Sequence, residues 1–204
     1  MDIKNFLPGD DEKINMLLKF TAEVDKMTSV IRHTRLIDMS RNENDAEHSW
    51  HIALMAILFK DYAPEGCDIG RAVKMCIVHD LIEIYAGDTF AYDAEANKGK
   101  EDREKIAADR LFGELPQDLG KELRELWEEF DAMNTPDSKY AAAMDRLQPF
   151  LHNTLTEGHT WKEGHPSIEM VNKRIAPAVE TIPQIKSWYD LNIERAVKEG
   201  WLSD

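Results

Sequence analysis

Residues 77–88, IVHDLIEIYAGD, set His79, Asp80 and Glu83 among Ile77, Val78, Leu81, Ile82 and Ile84. Ionisable groups are costly in such company unless something pairs with them. Two other segments break their apolar pattern in the same way. In NDAEHSWHIALMAIL, His48 heads a face continued by Ile52, Met55 and Phe59, and in AAAMDRLQPFL, Asp145 stands among alanines, Met144 and Leu147. A divalent cation is a strong partner for such groups. His48, His79, Asp80 and Asp145 form a donor set of two nitrogens and two oxygens that suits Mn²⁺, Co²⁺, Fe²⁺, Zn²⁺ or Mg²⁺, one ion in all. On a helix, adjacent His79 and Asp80 diverge by about 100°, so both reach one ion only if it lies beside the helix near its end. Glu83 follows His79 by four residues and Asp80 by three, which puts it on the same side, within reach of a water at the ion. Singly, each residue has a bland reading: a histidine at a helix start caps or faces solvent, and an aspartate turns outward. The combination across three helices brings the metal reading level with the bland one.

The elements that must position these residues read as helices. Apolar spacing near 3.6 residues runs through KINMLLKFTAEVDKM. The His48 helix starts with Asp45 as N-cap and stops at Pro64-Glu65-Gly66. The next helix is expected from about Asp68 to Tyr85, ending at Gly87. KEDREKIAADRLFGEL closes at Pro116, DLGKELRELWEEFDAM follows, and Thr135-Pro136 opens the Asp145 helix, which Pro149 should kink. Beyond a Gly/His-rich loop near 158–166, the C-terminal stretch supplies one interrupted or two consecutive helices. No convincing strand, repeat or linker is evident. The expectation is an all-α, single-domain helical bundle over 1–204, with a core at about 14–156 and a C-terminal helical extension at about 166–200.

With 25 Lys+Arg against 39 Asp+Glu, the net charge is −14. Such a surface repels nucleic-acid polymers. A small phosphorylated ligand needs only local positive charge, and IRHTRLIDMSR offers Arg32, Arg35 and Arg41 with His33 against Asp38. No apolar run approaches the roughly 20 residues that span a bilayer. The N-terminus lacks the pattern of a secretory leader, and Cys67 and Cys76 alone point to a reducing compartment. A cytoplasmic protein without a membrane partner is expected, and a homodimer, the commonest assembly of soluble oligomers.

The segments EHSWH, VHDLIEIYAGD and MDRLQPF resemble the H…HD…D signature of the HD-domain metal-dependent phosphohydrolases, and more narrowly the branch of bacterial 5′-deoxynucleotidases and their eukaryotic HD-domain-containing relatives. The likeness runs from about Leu17 to Asn153. It implies an HD-type bundle, metal binding by His48, His79, Asp80 and Asp145, and catalysis by Glu83 as acid/base together with Asp80. It also implies a sugar contact at Asp88 beside substrate-lining Thr89 and Phe90. The branch carries an Arg-Trp pair before the first ligand. Here IRHTRLID has no adjacent tryptophan, so the phosphate-binding arginine is Arg32 or Arg35, with Arg41 assisting.

The resemblance implies hydrolysis of a (deoxy)nucleoside 5′-monophosphate by water at the metal. A phosphodiesterase or nucleoside triphosphate hydrolase of the same superfamily is the alternative. A third reading is a non-catalytic acidic helical protein that binds a partner through late aromatics such as Trp161, Trp188, Tyr189 and Trp201.

Overall fold

The computed structural model describes residues 3, 5–93 and 95–202; the ends of the expected 1–204 domain lie outside them. The elements run α1 Glu12–Val24, β1 Ile31–Arg35, β2 Asn42–Asn44, α2 Asp45–Leu58, α3 Ile69–Val78, α4 Glu83–Ala86, α5 Lys100–Phe112, α6 Gln117–Ala132, α7 Pro136–Leu155, α8 His159–Gly164, α9 Ile168–Thr181 and α10 Lys186–Lys198. The all-α expectation holds, with one small departure. Strands β1 and β2 pair antiparallel, Ile31 opposite Asn44 and Arg35 opposite Asn42. The strands are three to five residues long and rich in Arg and Asn, so they lack the apolar alternation by which a strand is read.

Helix α7 lies at the centre and packs against α2, α3, α6 and α9. Its buried run Tyr140, Ala141, Ala142, Ala143 and Met144 explains this: small side chains let neighbouring helices approach. The Tyr140 hydroxyl donates to the Ala56 carbonyl at 2.9 Å, satisfying one of the carbonyls left open at the end of α2. Thr135 caps α7 with Pro136 in its first turn, and the helix continues through Pro149, which has no N–H for the Asp145 carbonyl.

Two boundaries differ from the sequence reading, and both differences shape the site. The cap of α2 is Asn44, whose side chain accepts the Glu47 N–H while the Glu47 carboxylate accepts the Asn44 N–H. Asp45 is thereby released to face inward. The helix expected from Asp68 to Tyr85 breaks after Val78, with His79 as its C-cap. In an unbroken helix Asp80 N–H would donate to the Cys76 carbonyl; here His79 Nδ1 donates to that carbonyl at 3.0 Å. The side chain takes the acceptor that the next helical turn needs. The backbone then tightens, with Leu81 N–H donating to Val78 O and Glu83 N–H to Asp80 O.

Where α6 meets α5, a Cβ on Gly120 would stand 2.4 Å from the Phe112 carbonyl oxygen. Gly120→Ala is expected to lower the thermal stability: forcing backbone apart costs about 1–3 kcal/mol, against about 1 kcal/mol of gained helix propensity. A melting curve checks the sign.

Candidate metal centre and active site

The sequence-predicted ligands converge. His48 comes from α2, His79 and Asp80 from the turn after α3, and Asp145 from the middle of α7; all four are buried. His48 Nε2 lies 3.0 Å from Asp145 Oδ1, and His79 Nε2 lies 3.7 Å from the same oxygen. Asp80 Oδ2 is 3.0 Å from His79 Nε2 and 3.9 Å from His48 Nε2. One donor atom from each of His48, His79 and Asp145 falls within 4.8 Å of the others.

Hydrogen bonds behind the imidazoles decide where their lone pairs point. The Cys76 carbonyl can only accept, so His79 carries its proton on Nδ1, and Nε2 is buried without a hydrogen-bond partner. The His48 proton is fixed by a longer relay. His152 Nδ1 donates to the Arg35 carbonyl at 3.0 Å, which leaves His152 Nε2 to accept from Gln148 Nε2 at 3.0 Å. Gln148 Nε2 also donates to Glu43 Oε2 at 2.7 Å. The amide orientation is therefore set, and Gln148 Oε1 accepts from His48 Nδ1 at 3.1 Å. Burial, with Arg32 nearby, pushes the His48 pKa down to about 4, so its neutral ring aims a lone pair at the Asp145 carboxylate. Two lone pairs facing each other at 3.0 Å call for a cation between them. Burial also opposes a charged His79, yet the carboxylates of Asp80 and Asp145 outweigh it and lift its pKa to about 10. The site demands positive charge, and a bound divalent ion would displace that proton. The donor chemistry, the orphaned Nε2 and the hydrogen-bonded far nitrogens fit a metal of the imidazole- and carboxylate-binding class.

Beside this set lies a second acidic group, Asp45, Asp80 and Glu83, with oxygens within 4.8 Å of one another. It is served by Arg32. The guanidinium Nη1 lies 2.8 Å from Asp80 Oδ2, 3.0 Å from Asp45 Oδ1 and 4.0 Å from Asp88 Oδ1, while Nε lies 3.5 Å from Glu43 Oε1. Burial and the neighbouring Asp80 and Asp45 charges raise the Glu83 pKa well above the usual carboxyl range. Burial likewise raises Asp45 to about 7.

His79, Asp80, Glu83 and Asp145 floor a cavity of about 240 Å³, with His48 and Asp45 outside its lining. Arg32, Asp88, Thr89 and Phe90 line it with His79, Asp80, Glu83 and Asp145. Phe90 stacks on His33 with ring centroids 4.6 Å apart and packs where a Cβ on Gly164 would stand. The structure does not bring Arg35 and Arg41 to this wall. Arg35 donates to Asn42 Oδ1 and the Met39 carbonyl, and Arg41 pairs with Glu47; both serve the hairpin and the start of α2. Sequence reasoning missed Arg146, Arg174 and Lys100, all cavity-lining, because a cation on an amphipathic helix reads as solvated. It also passed over Gln148, although a polar residue three after Asp145 in an apolar stretch carried a signal of the same kind.

Gln148→Leu should preserve the helix but free the His48 ring. Loss of such an outer partner typically costs about 10–100-fold in metal affinity, and a Mn²⁺ titration followed by calorimetry measures it. Removing divalent metal with a chelator should lower the melting temperature and restoring it should raise it, since ligand at about 100 times its Kd adds about 2.7 kcal/mol.

The chain is similar to known proteins. The HD domain family model matches residues 24–186. Human 5′-deoxynucleotidase HDDC2 is 30% identical over 149 residues, 72% of each chain, and the Bos taurus protein of that name is 32% identical over 136 residues, 66% of this chain and 65% of its own. A crystal structure of a predicted metal-dependent phosphohydrolase from Magnetospirillum magnetotacticum MS-1 superposes with a TM-score of 0.90 at 42% identity, covering 98% of this chain and 100% of that one. No helix among the described residues is long and apolar enough to cross a membrane. The chain belongs to the HD domain family.

Proposed function

We propose that this metal-dependent phosphohydrolase removes the 5′-phosphate from deoxynucleoside monophosphates. The observation that carries the reading is the meeting of His48, His79 and Asp145, with Asp80 3.0 Å from His79 Nε2, beneath a cavity that His79, Asp80 and Asp145 line and arginine and aromatic side chains wall. The relatives named as 5′-deoxynucleotidases support the substrate class. At about 240 Å³ the cavity falls just below the roughly 300–1,000 Å³ of typical ligand sites, which favours a mononucleotide over a polymer. Phe90, Trp127, Phe130 and Trp161 in the wall offer flat apolar faces to a base.

His48, His79, Asp80 and Asp145 would hold the ion. When bound, a divalent cation lowers the pKa of water and offsets negative charge on a phosphoryl oxygen. The rest falls to the chain's own residues. Water oxygen bonds to phosphorus, the bond from phosphorus to the 5′-oxygen breaks, and the leaving oxygen requires a proton. Glu83 lines the cavity, and burial beside Asp80 and Asp45 keeps its carboxyl protonated above the usual range, as a general acid must be. Arg32 holds Asp80 and Asp45 in place, and Asp88, 4.0 Å from Arg32 Nη1, would meet the sugar. Within the same reading the chain works as a cytoplasmic homodimer, supported by its two free cysteines and by the exposed row Trp50, Leu54 and Ile57 on α2.

Two variants test the division of labour on deoxynucleoside monophosphates with Mn²⁺ or Co²⁺. Glu83→Gln should retain its metal while kcat falls by about 10²–10⁴-fold. Asp145→Ala should lose metal occupancy. Turnover at the wild-type level in both would end the proposal.

A further inference from the structure

Four Lys or Arg side chains line the cavity: Arg32, Lys100, Arg146 and Arg174. Their positive charges are not equally available. Arg32 is spent on Glu43, Asp45, Asp80 and Asp88. Lys100 pairs with Glu104 at 3.3 Å, another residue of the wall. Arg146 on α7 and Arg174 on α9 share a single acceptor: Arg146 Nη1 and Arg174 Nη2 each lie 3.3 Å from Asp145 Oδ2. Asp131 is close enough for Arg146 to feel its charge but forms no ion pair with it among the described residues.

Two guanidiniums on one carboxylate oxygen leave positive charge unbalanced. The other oxygen of Asp145 faces His48 and His79, so neither guanidinium has this carboxylate to itself. Donors are also left over. Each guanidinium offers five N–H groups. Arg146 uses Nη1 on Asp145 and on the Ala142 carbonyl, and Arg174 uses Nη2 on Asp145. Among the described residues Nε and Nη2 of Arg146, and Nε and Nη1 of Arg174, have no protein acceptor. The Arg174 side chain is 38% exposed and that of Arg146 12%, so these donors face the cavity and not a packed interior. An anion meeting both would lie beside the carboxylate that the ligand imidazoles share, where a reacting ester must be.

We propose that Arg146 and Arg174 together clamp the phosphate of the substrate, with Arg174 delivered by α9, and that the arginines of the β1–β2 hairpin do not. The inference rests on the phosphohydrolase reading of the site. Planar guanidinium forks suit three equivalent phosphate oxygens better than a lysine does, and the clamp explains why α9 forms part of the wall.

Inorganic phosphate is the probe, titrated calorimetrically into protein saturated with Mn²⁺. Arg174→Gln and Arg146→Gln should each weaken phosphate binding by about 10–100-fold, the value of a charge-assisted hydrogen bond, with Arg174→Lys restoring part of it. In Arg174→Gln, whose exposed site protects its folding, phosphate affinity should fall further than Mn²⁺ affinity measured without phosphate, since Arg174 also touches the Asp145 carboxylate, and Arg35→Gln should bind phosphate as the wild type does. The clamp is overturned by any of three results. These are no phosphate binding by the wild-type protein, phosphate affinity that survives in the glutamine variants, and phosphate affinity that falls only in step with Mn²⁺ affinity. If phosphate binding depends on Arg174 while no deoxynucleoside monophosphate is hydrolysed, the clamp stands and the substrate reading alone fails.

Discussion

Negative charge gathered indoors is the condition on which the rest of this structure depends. Glu43, Asp45, Asp80 and Asp88 surround one guanidinium, and Asp145 meets two imidazoles a few ångströms away. Carboxylates removed from water are destabilised by several kcal/mol each unless cations and hydrogen bonds replace their hydration. Arg32 answers for part of the cluster. Several buried oxygens, including those of Asp45 and Glu83, still lack hydrogen-bond partners, as does His79 Nε2. A divalent ion among His48, His79, Asp80 and Asp145 would supply what Arg32 does not.

The fold builds this pocket through local conflicts that favour the site over regular structure. His79 takes the Cys76 carbonyl and ends α3, which places His79 and Asp80 on a turn and not on a helix whose geometry would spread them. Asn44 caps α2 in place of Asp45, so Asp45 turns inward to Arg32. Pro149 withholds an N–H from the Asp145 backbone. One helical turn of α7 carries Asp145 toward the imidazoles of His48 and His79 and Gln148 toward His48, and the relay from the Arg35 carbonyl through His152 and Gln148 fixes which nitrogen of His48 is free. The hairpin thus contributes a carbonyl and one cation, Arg32, to the centre, while its other arginines hold its own turn.

Much of this was legible in the sequence because polar residues that interrupt an apolar face are rare and conspicuous. His48, His79, Asp80, Glu83 and Asp145 declared themselves in that way, and the HD signature joined them. The break after Val78 was not legible: Ile82 and Ile84 continue a pattern that a helix would also produce, and the side-chain bond that ends it leaves no compositional trace. The short hairpin was invisible because its residues are polar and few. Arg146 and Arg174 escaped notice for another reason. An arginine on an amphipathic helix ordinarily faces water, and only the packing of α9 on α7 shows that these two face the same carboxylate.

The central claim is that one ion occupies the meeting point of three helices. The most direct measurement is a crystal structure of the Mn²⁺-loaded protein with anomalous data at the metal edge. A single peak bonded to His48 Nε2, His79 Nε2, Asp80 and Asp145, at the roughly 2.0–2.2 Å typical of such nitrogen and oxygen ligands, is the result expected. A saturated crystal with no peak there, or with the Asp145 carboxylate turned away from both imidazoles, would contradict it.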